Sequence, residues 1–151
     1  MTSIQASLQA LYDQDFAAWI EATVACLKAR DVSSLDWNHL IEEIEDLGKS
    51  QRRELKSRLG VLLIHLLKRC YVALPEDYRG WGNTIDEQRR ELVLLLEQSP
   101  SLKRYLAAEF DEVWTYALRQ VRKDYPAVEF PDDWPFSREV EALLTQEVWQ
   151  N

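Results

Sequence analysis

Glycine and proline are scarce, 4 and 5 among 151 residues, and a chain so seldom punctuated argues against disorder. Long apolar runs are missing too. Nothing approaches the about 18 residues that a membrane crossing needs, and Met1-Thr2-Ser3-Ile4 lacks the basic start and apolar centre of a signal peptide. Those absences point to a cytoplasmic protein with no membrane attachment. No segment alternates with period two for long enough to argue for a sheet. The two cysteines, Cys26 and Cys70, show no Cys-x-x-Cys or Cys/His ligand spacing, so free thiols are expected. An antiparallel pairing of the first two helices would also hold them too far apart for a disulfide. Neither histidine has a glutamate three residues before it, as the Glu-x-x-His pairs of di-iron bundles require. A glycine-rich phosphate loop, a Gly-x-Ser-x-Gly elbow and a zinc-helix motif are all lacking. An enzyme is therefore disfavoured, and no cofactor or metal is expected.

What is present is ordinary for a soluble globular protein: 46% apolar and 29% charged residues. The length suits a single helical domain over 1–151, able to bury about two thirds of the surface its unfolded chain exposes. Tryptophan is abundant at Trp19, Trp37, Trp81, Trp114, Trp134 and Trp149, and most of these rings are expected to anchor the core or cover helix junctions.

The chain is organised around the stretch from Asp36 to Leu74. Trp37, Leu40, Ile41, Ile44, Leu47, Leu55, Leu59, Leu62, Leu63, Leu66 and Cys70 recur at steps of three and four, the periodicity of one buried helix face. Asp36 is placed to cap it. A continuous helix of this length would run roughly 50 Å. A bend is expected at Gly48 or Gly60, where glycine weakens the helix by about 1 kcal/mol relative to alanine. Acidic residues Glu42, Glu45 and Asp46 give way to a basic stripe of Lys49, Arg52, Arg53, Lys56 and Arg58. A stripe of that kind can grip phosphates, but the net charge of −8 repels a polyanion, so nucleic acid is not the expected partner.

Before this stretch, a first helix is read from about Asp13 to Arg30, with Phe16, Trp19, Ile20, Thr23, Val24 and Leu27 on one stripe. Ile4, Leu8 and Leu11 continue the spacing, as an earlier start or a separate turn. After it, Pro75 to Asn83 reads as a loop and Thr84-Ile85-Asp86-Glu87 as a capping box opening a third helix to about Gln98. Ser99-Pro100-Ser101 opens a fourth, ending near Tyr125-Pro126. Phe130 to Phe136 is too rich in proline for a helix and reads as an extended strap pinned by aromatic rings. Ser137 then caps a last helix from Arg138 to about Trp149. The expected fold is all-α: an up-and-down four-helix-type bundle with a long, bent second helix and an additional C-terminal helix.

Together these residues resemble a bacterial family, the domain of unknown function numbered twenty-nine, abundant in cyanobacteria. The likeness rests on Leu11-Tyr12-Asp13-Gln14-Asp15-Phe16, on Leu35-Asp36-Trp37-Asn38-His39-Leu40-Ile41-Glu42-Glu43-Ile44-Glu45, on His65-Leu66-Leu67-Lys68, on Ser99-Pro100-Ser101-Leu102 and on Phe130-Pro131. It covers nearly the whole chain. The family pattern places a tryptophan after His-Leu-Leu-Lys and a cysteine within the strap, where this chain has Arg69 and Trp134, and those departures argue against a thiol chemistry carried by the strap. The resemblance implies an all-helical bacterial protein and supplies no activity.

His65 stands out because an imidazole inside an apolar run needs a hydrogen-bond partner. Folding the third helix back brings Glu91 level with it, as an orienting carboxylate for a general base or as a structural partner, with Arg89 or Arg90 contributing. His39, in the first turn of the long helix, reads as a surface or cap residue. The leading functional reading is a non-catalytic interaction module that docks a protein partner or a homo-oligomer, using tryptophan and leucine near the Pro75 to Asn83 loop and the strap. The alternative is a bundle that binds a metal or small ligand through His65, Glu42, Glu45 and Glu91.

Overall fold

Asp15 ends one helix and starts the next. Helices α1 (Thr2–Gln14) and α2 (Phe16–Lys28) meet there, and the Asp15 side chain accepts from the Ala18 amide at 3.1 Å as the N-cap of α2. The expected single helix from Asp13 is thus corrected, because this cap turns the chain one residue before Phe16. The stretch before it is a helix of its own. The structure, a computed structural model, describes residues 2–149, with side chains from Leu8 onward; Ile4 lies outside the described side chains.

At the other end of α2 the Asp31 amide donates to Cys26 O and the Arg30 amide to Leu27 O, which closes a Schellman turn. Its left-handed position, where glycine is usual, holds Arg30 at φ 60°. A 3₁₀ turn at Val32–Ser34 leads to α3 (Trp37–Tyr71), whose 35 residues run without a break through Gly48 and Gly60. Burial of Leu55, Leu59, Leu62, Leu63, Leu66 and Leu67 stabilises the helix by far more than two glycines cost.

The chain forms two compact units, Met1–Ser50 and Gln51–Asn151, with the boundary inside α3. In the first, Leu8, Trp19, Thr23, Leu35 and Asp36 are buried. In the second, the leucines of α3 share one core with α4 (Tyr78–Gln98) and α5 (Leu102–Asp124), which supply Trp81, Ile85, Leu92, Leu106, Phe110, Val113 and Val121. Every regular element among the described residues is helical.

Helix α4 begins well before its expected cap. After a 3₁₀ turn at Pro75–Asp77 the helix takes in Gly80, Gly82 and Asn83, and the Thr84 hydroxyl donates back to Gly80 O at 3.2 Å instead of capping. Trp81 and Ile85, one turn apart, are both buried, and seating that indole outweighs the roughly 1 kcal/mol lost at each glycine. Helix α5 starts after Ser99-Pro100-Ser101, as the sequence suggests.

The strap, residues 130–136, is neither helix nor strand and bends at Asp132, Asp133 and Phe136. Trp134 packs on Phe110, Trp114 and Phe136 with ring centroids 5.9, 5.4 and 5.1 Å away, and Trp114 Nε1 donates to Asp132 O at 3.1 Å. The last helix, α6, is only Val140–Thr145. Ser137 Oγ accepts from the Glu139 amide at 3.2 Å, but Glu139 holds the cap position. Gln146, just past α6, is in extended conformation, and Arg89 reaches across from α4 to Leu143 O at 2.9 Å and Gln146 O at 2.7 Å.

Candidate functional site

Of the residues singled out in the sequence, His65, Arg89 and Glu91 lie in the second unit and Glu42 and Glu45 in the first. His65 is half-buried, and its Nδ1–H donates to Val61 O, one turn back on its own helix, at 2.8 Å, so the partner expected on another helix is not the one it uses. Burial pushes its pKa below the usual 6.5, against the opposing effect of that hydrogen bond. Glu91 faces Arg58 Nη2 at 3.8 Å, and Arg89 is occupied by the carbonyls of Leu143, in the last turn of α6, and Gln146, just past it. Glu42 and Glu45 are exposed and belong to the other unit. Among the described residues no group of three His, Cys, Asp or Glu side chains is arranged to hold a metal.

The basic stripe is likewise divided. Lys56 pairs with Glu109 and Glu112 at 3.4 and 3.0 Å, Arg58 pairs with Glu54 at 3.0 Å, and the Arg52 guanidinium lies 5.3 Å from the centre of the Tyr105 ring. A cleft of about 560 Å³ runs along α5 and the strap, lined by Trp114, Leu118 and Arg119 among others. Two of its guanidiniums fasten the strap, Arg122 to Asp132 at 2.7 Å and Arg138 to Asp111 at 2.6 Å.

The polar cluster that the fold does assemble lies in the N-terminal unit. Asp36, 1% exposed, accepts on Oδ2 from Trp19 Nε1 at 3.2 Å and from His39 Nδ1–H at 2.5 Å, while its Oδ1 has no hydrogen-bond partner. Tyr12 stacks flat on His39, centroids 3.8 Å apart, and its hydroxyl donates to Glu43. That hydrogen bond, with smaller effects of burial and neighbouring acids, pushes the phenol up to about 12. Asp36 and His39 share one helix face by their i, i+3 spacing, and Glu43 follows one turn on. The Asp36–His39 pair orients the ring as a carboxylate orients a general base. The cluster's members come from α1, α2 and α3 and fasten the three together. The sequence reading missed this cluster, taking His39 for a surface or cap residue and Asp36 for a simple N-cap. The Asp36-x-x-His39-x-x-x-Glu43 spacing was its only linear signal.

Around this buckle the unit leaves much apolar surface uncovered. Of the α2 stripe only Trp19 and Thr23 are buried; Phe16, Ile20, Val24 and Leu27 are exposed. Along α3, Trp37, Ile41, Ile44 and Leu47 are exposed as well, the last two at 60% and 65%. Both stripes were expected to face the core. Conversely, Trp81 and Trp134, expected near an exposed docking surface, are buried. Among the described residues only Leu94 and Tyr116 join the large exposed hydrophobics from outside the N-terminal unit.

These features define an all-α protein of two compact units, with no helix among the described residues long and apolar enough to cross a membrane and with one unit unusually apolar on its surface. The family model for the domain of unknown function DUF29 matches residues 11–149, and the chain belongs to that family. No curated protein and no solved structure matches it.

Proposed function

We propose that the protein is a non-catalytic interaction module whose docking face is the N-terminal unit, with Phe16, Ile20, Val24 and Leu27 on α2 and Trp37, Ile41, Ile44 and Leu47 on α3. The observation that carries this reading is the concentration of exposed apolar side chains at helical spacing on two adjacent segments of one unit. Isolated surface leucines need no explanation, but stripes of this kind mark surfaces that are covered in the working state. The buckle of Tyr12, Trp19, Asp36, His39 and Glu43 adds rigidity beneath them, which lowers the cost of docking.

Tagged full-length protein, wild type and Ile41→Asp/Ile44→Asp, tests the reading by the proteins each retains from the native host. The wild type should retain either its own untagged copies or one further protein in stoichiometric amount, and the variant should lose it. Identical retention by both, or none by either, refutes the reading.

A further inference from the structure

We infer that the N-terminal unit's apolar face is covered by a second copy of this chain, packed antiparallel across Leu47 and Gly48 of α3; the inference rests on the interaction reading just proposed. Three observations lead to it. The first is area. The eight stripe residues are between 41% and 65% exposed, roughly 700 Å² of side-chain surface, close to the ~800 Å² per partner of a standard protein–protein interface.

The second is Gly48. Glycine is the least favourable residue in a helix after proline, so one in the middle of α3 needs a reason. Crowding within the chain does not supply one: a Cβ built at Gly48 meets no atom within 4 Å, as at Gly80 and Gly82 beside the buried Trp81, whereas one at Gly60 would lie 3.8 Å from Val113 and Tyr116. An exposed glycine beside Ile44 and Leu47 lets a second helix approach α3 closely at that point.

The third is charge. Glu42, Glu45 and Asp46 precede the glycine and Lys49 follows it, and none of these four is ion-paired within the chain among the described residues. A parallel pairing sets acid against acid. An antiparallel pairing centred on Leu47 and Gly48 sets Glu45 of each copy against Lys49 of the other, and a surface that complements itself under a two-fold axis is what an isologous dimer requires. The four stripes, two from each copy, then share one apolar interior.

Sedimentation equilibrium of the full-length protein across micromolar concentrations reads the outcome. The expected species has twice the chain's 17.7 kDa. Ile44→Glu and Gly48→Leu should each raise the dimer dissociation constant about tenfold or more, with the circular dichroism of the helices retained, since both positions are exposed. Gly48→Leu is the sharper probe, because it strengthens the helix and so can weaken the dimer only through a close helix crossing. Glu45→Lys should weaken the dimer, and adding Lys49→Glu should restore it. A dimer indifferent to Ile44→Glu and Gly48→Leu overturns the inference, since its interface then lies elsewhere. A monomeric wild type also overturns it. If that monomer binds an apolar dye and Ile44→Glu abolishes the binding, the face is still available to another protein and the interaction reading stands. If it binds no dye, both fall together.

Discussion

Replacing Arg89 by methionine removes a guanidinium but keeps most of the stem that packs across α4. Its Nε and Nη2 hold Leu143 O at 2.9 Å and Gln146 O at 2.7 Å, the carbonyls at and just beyond the end of α6. A hydrogen bond to a charged group contributes about 1.5–3 kcal/mol in mutational series. The Gln146 bond is exposed and the Leu143 bond only partly buried, so water replaces much of what is lost. The net effect should be about 2 kcal/mol, rather than the sum of two such bonds. It should appear as a lower urea midpoint with an unchanged slope, and as faster amide exchange over residues 140–149 while α3 and α5 keep their protection. Arg89→Lys should recover less than half of the loss, because one ammonium cannot hold two carbonyls in a fixed fork. A change below about 0.5 kcal/mol, or exchange that rises uniformly along the chain, would refute the clamp.

Arg30→Gly should stabilise the protein by about 0.5–1 kcal/mol, by relieving a left-handed residue that carries a Cβ; a lower urea midpoint in the glycine variant sinks the idea. His65, whose folded pKa lies below the unfolded 6.5, should add stability that is full above pH 6.5 and fades as pH falls through the folded value, since the unfolded chain then binds the proton more readily. An NMR titration showing the ring at or above 6.5 would reverse that sign. Burial pushes the Cys70 thiol up to about 11, so iodoacetamide at pH 7 should leave it unmodified in the folded protein, and modification at the rate of a free thiol would contradict its placement. Both cysteines are free, and thermal stability should be the same with and without reductant; a Cys26–Cys70 link under non-reducing mass spectrometry is the opposing result.

Periodicity carried most of the helices. It located α3, α5 and the core leucines because those segments bury one face against neighbours in the same unit, and the strap was legible because proline forbids the alternatives. It failed where local chemistry met a tertiary demand. Gly80 and Gly82 read as a loop until the burial of Trp81 pulled them into α4, and the end of α6 depended on an arginine more than fifty positions away. Apolar spacing also says that a face will be covered, not by what. Phe16, Ile20, Ile41 and Ile44 carry the same pattern as Leu59 and Leu63, yet only the latter two are buried within the chain. His65, the most conspicuous polar residue in the sequence, satisfies itself on its own helix. His39 is held by Asp36 three residues back and by the ring of Tyr12, which no linear motif links to it.

The seat beneath Trp134 also bears on the order of events in folding. Phe110 and Trp114 lie one turn apart on α5, so that platform is complete once a single helix has formed. The strap that must reach it leaves the same helix at Asp124, a short tether whose closure costs little entropy. Loops of about ten residues close in roughly 10–100 ns. Seating the indole is therefore a rapid, local search, and once made it brings Asp132 and Arg138 within reach of Arg122 and Asp111 before any distant segment has to arrive.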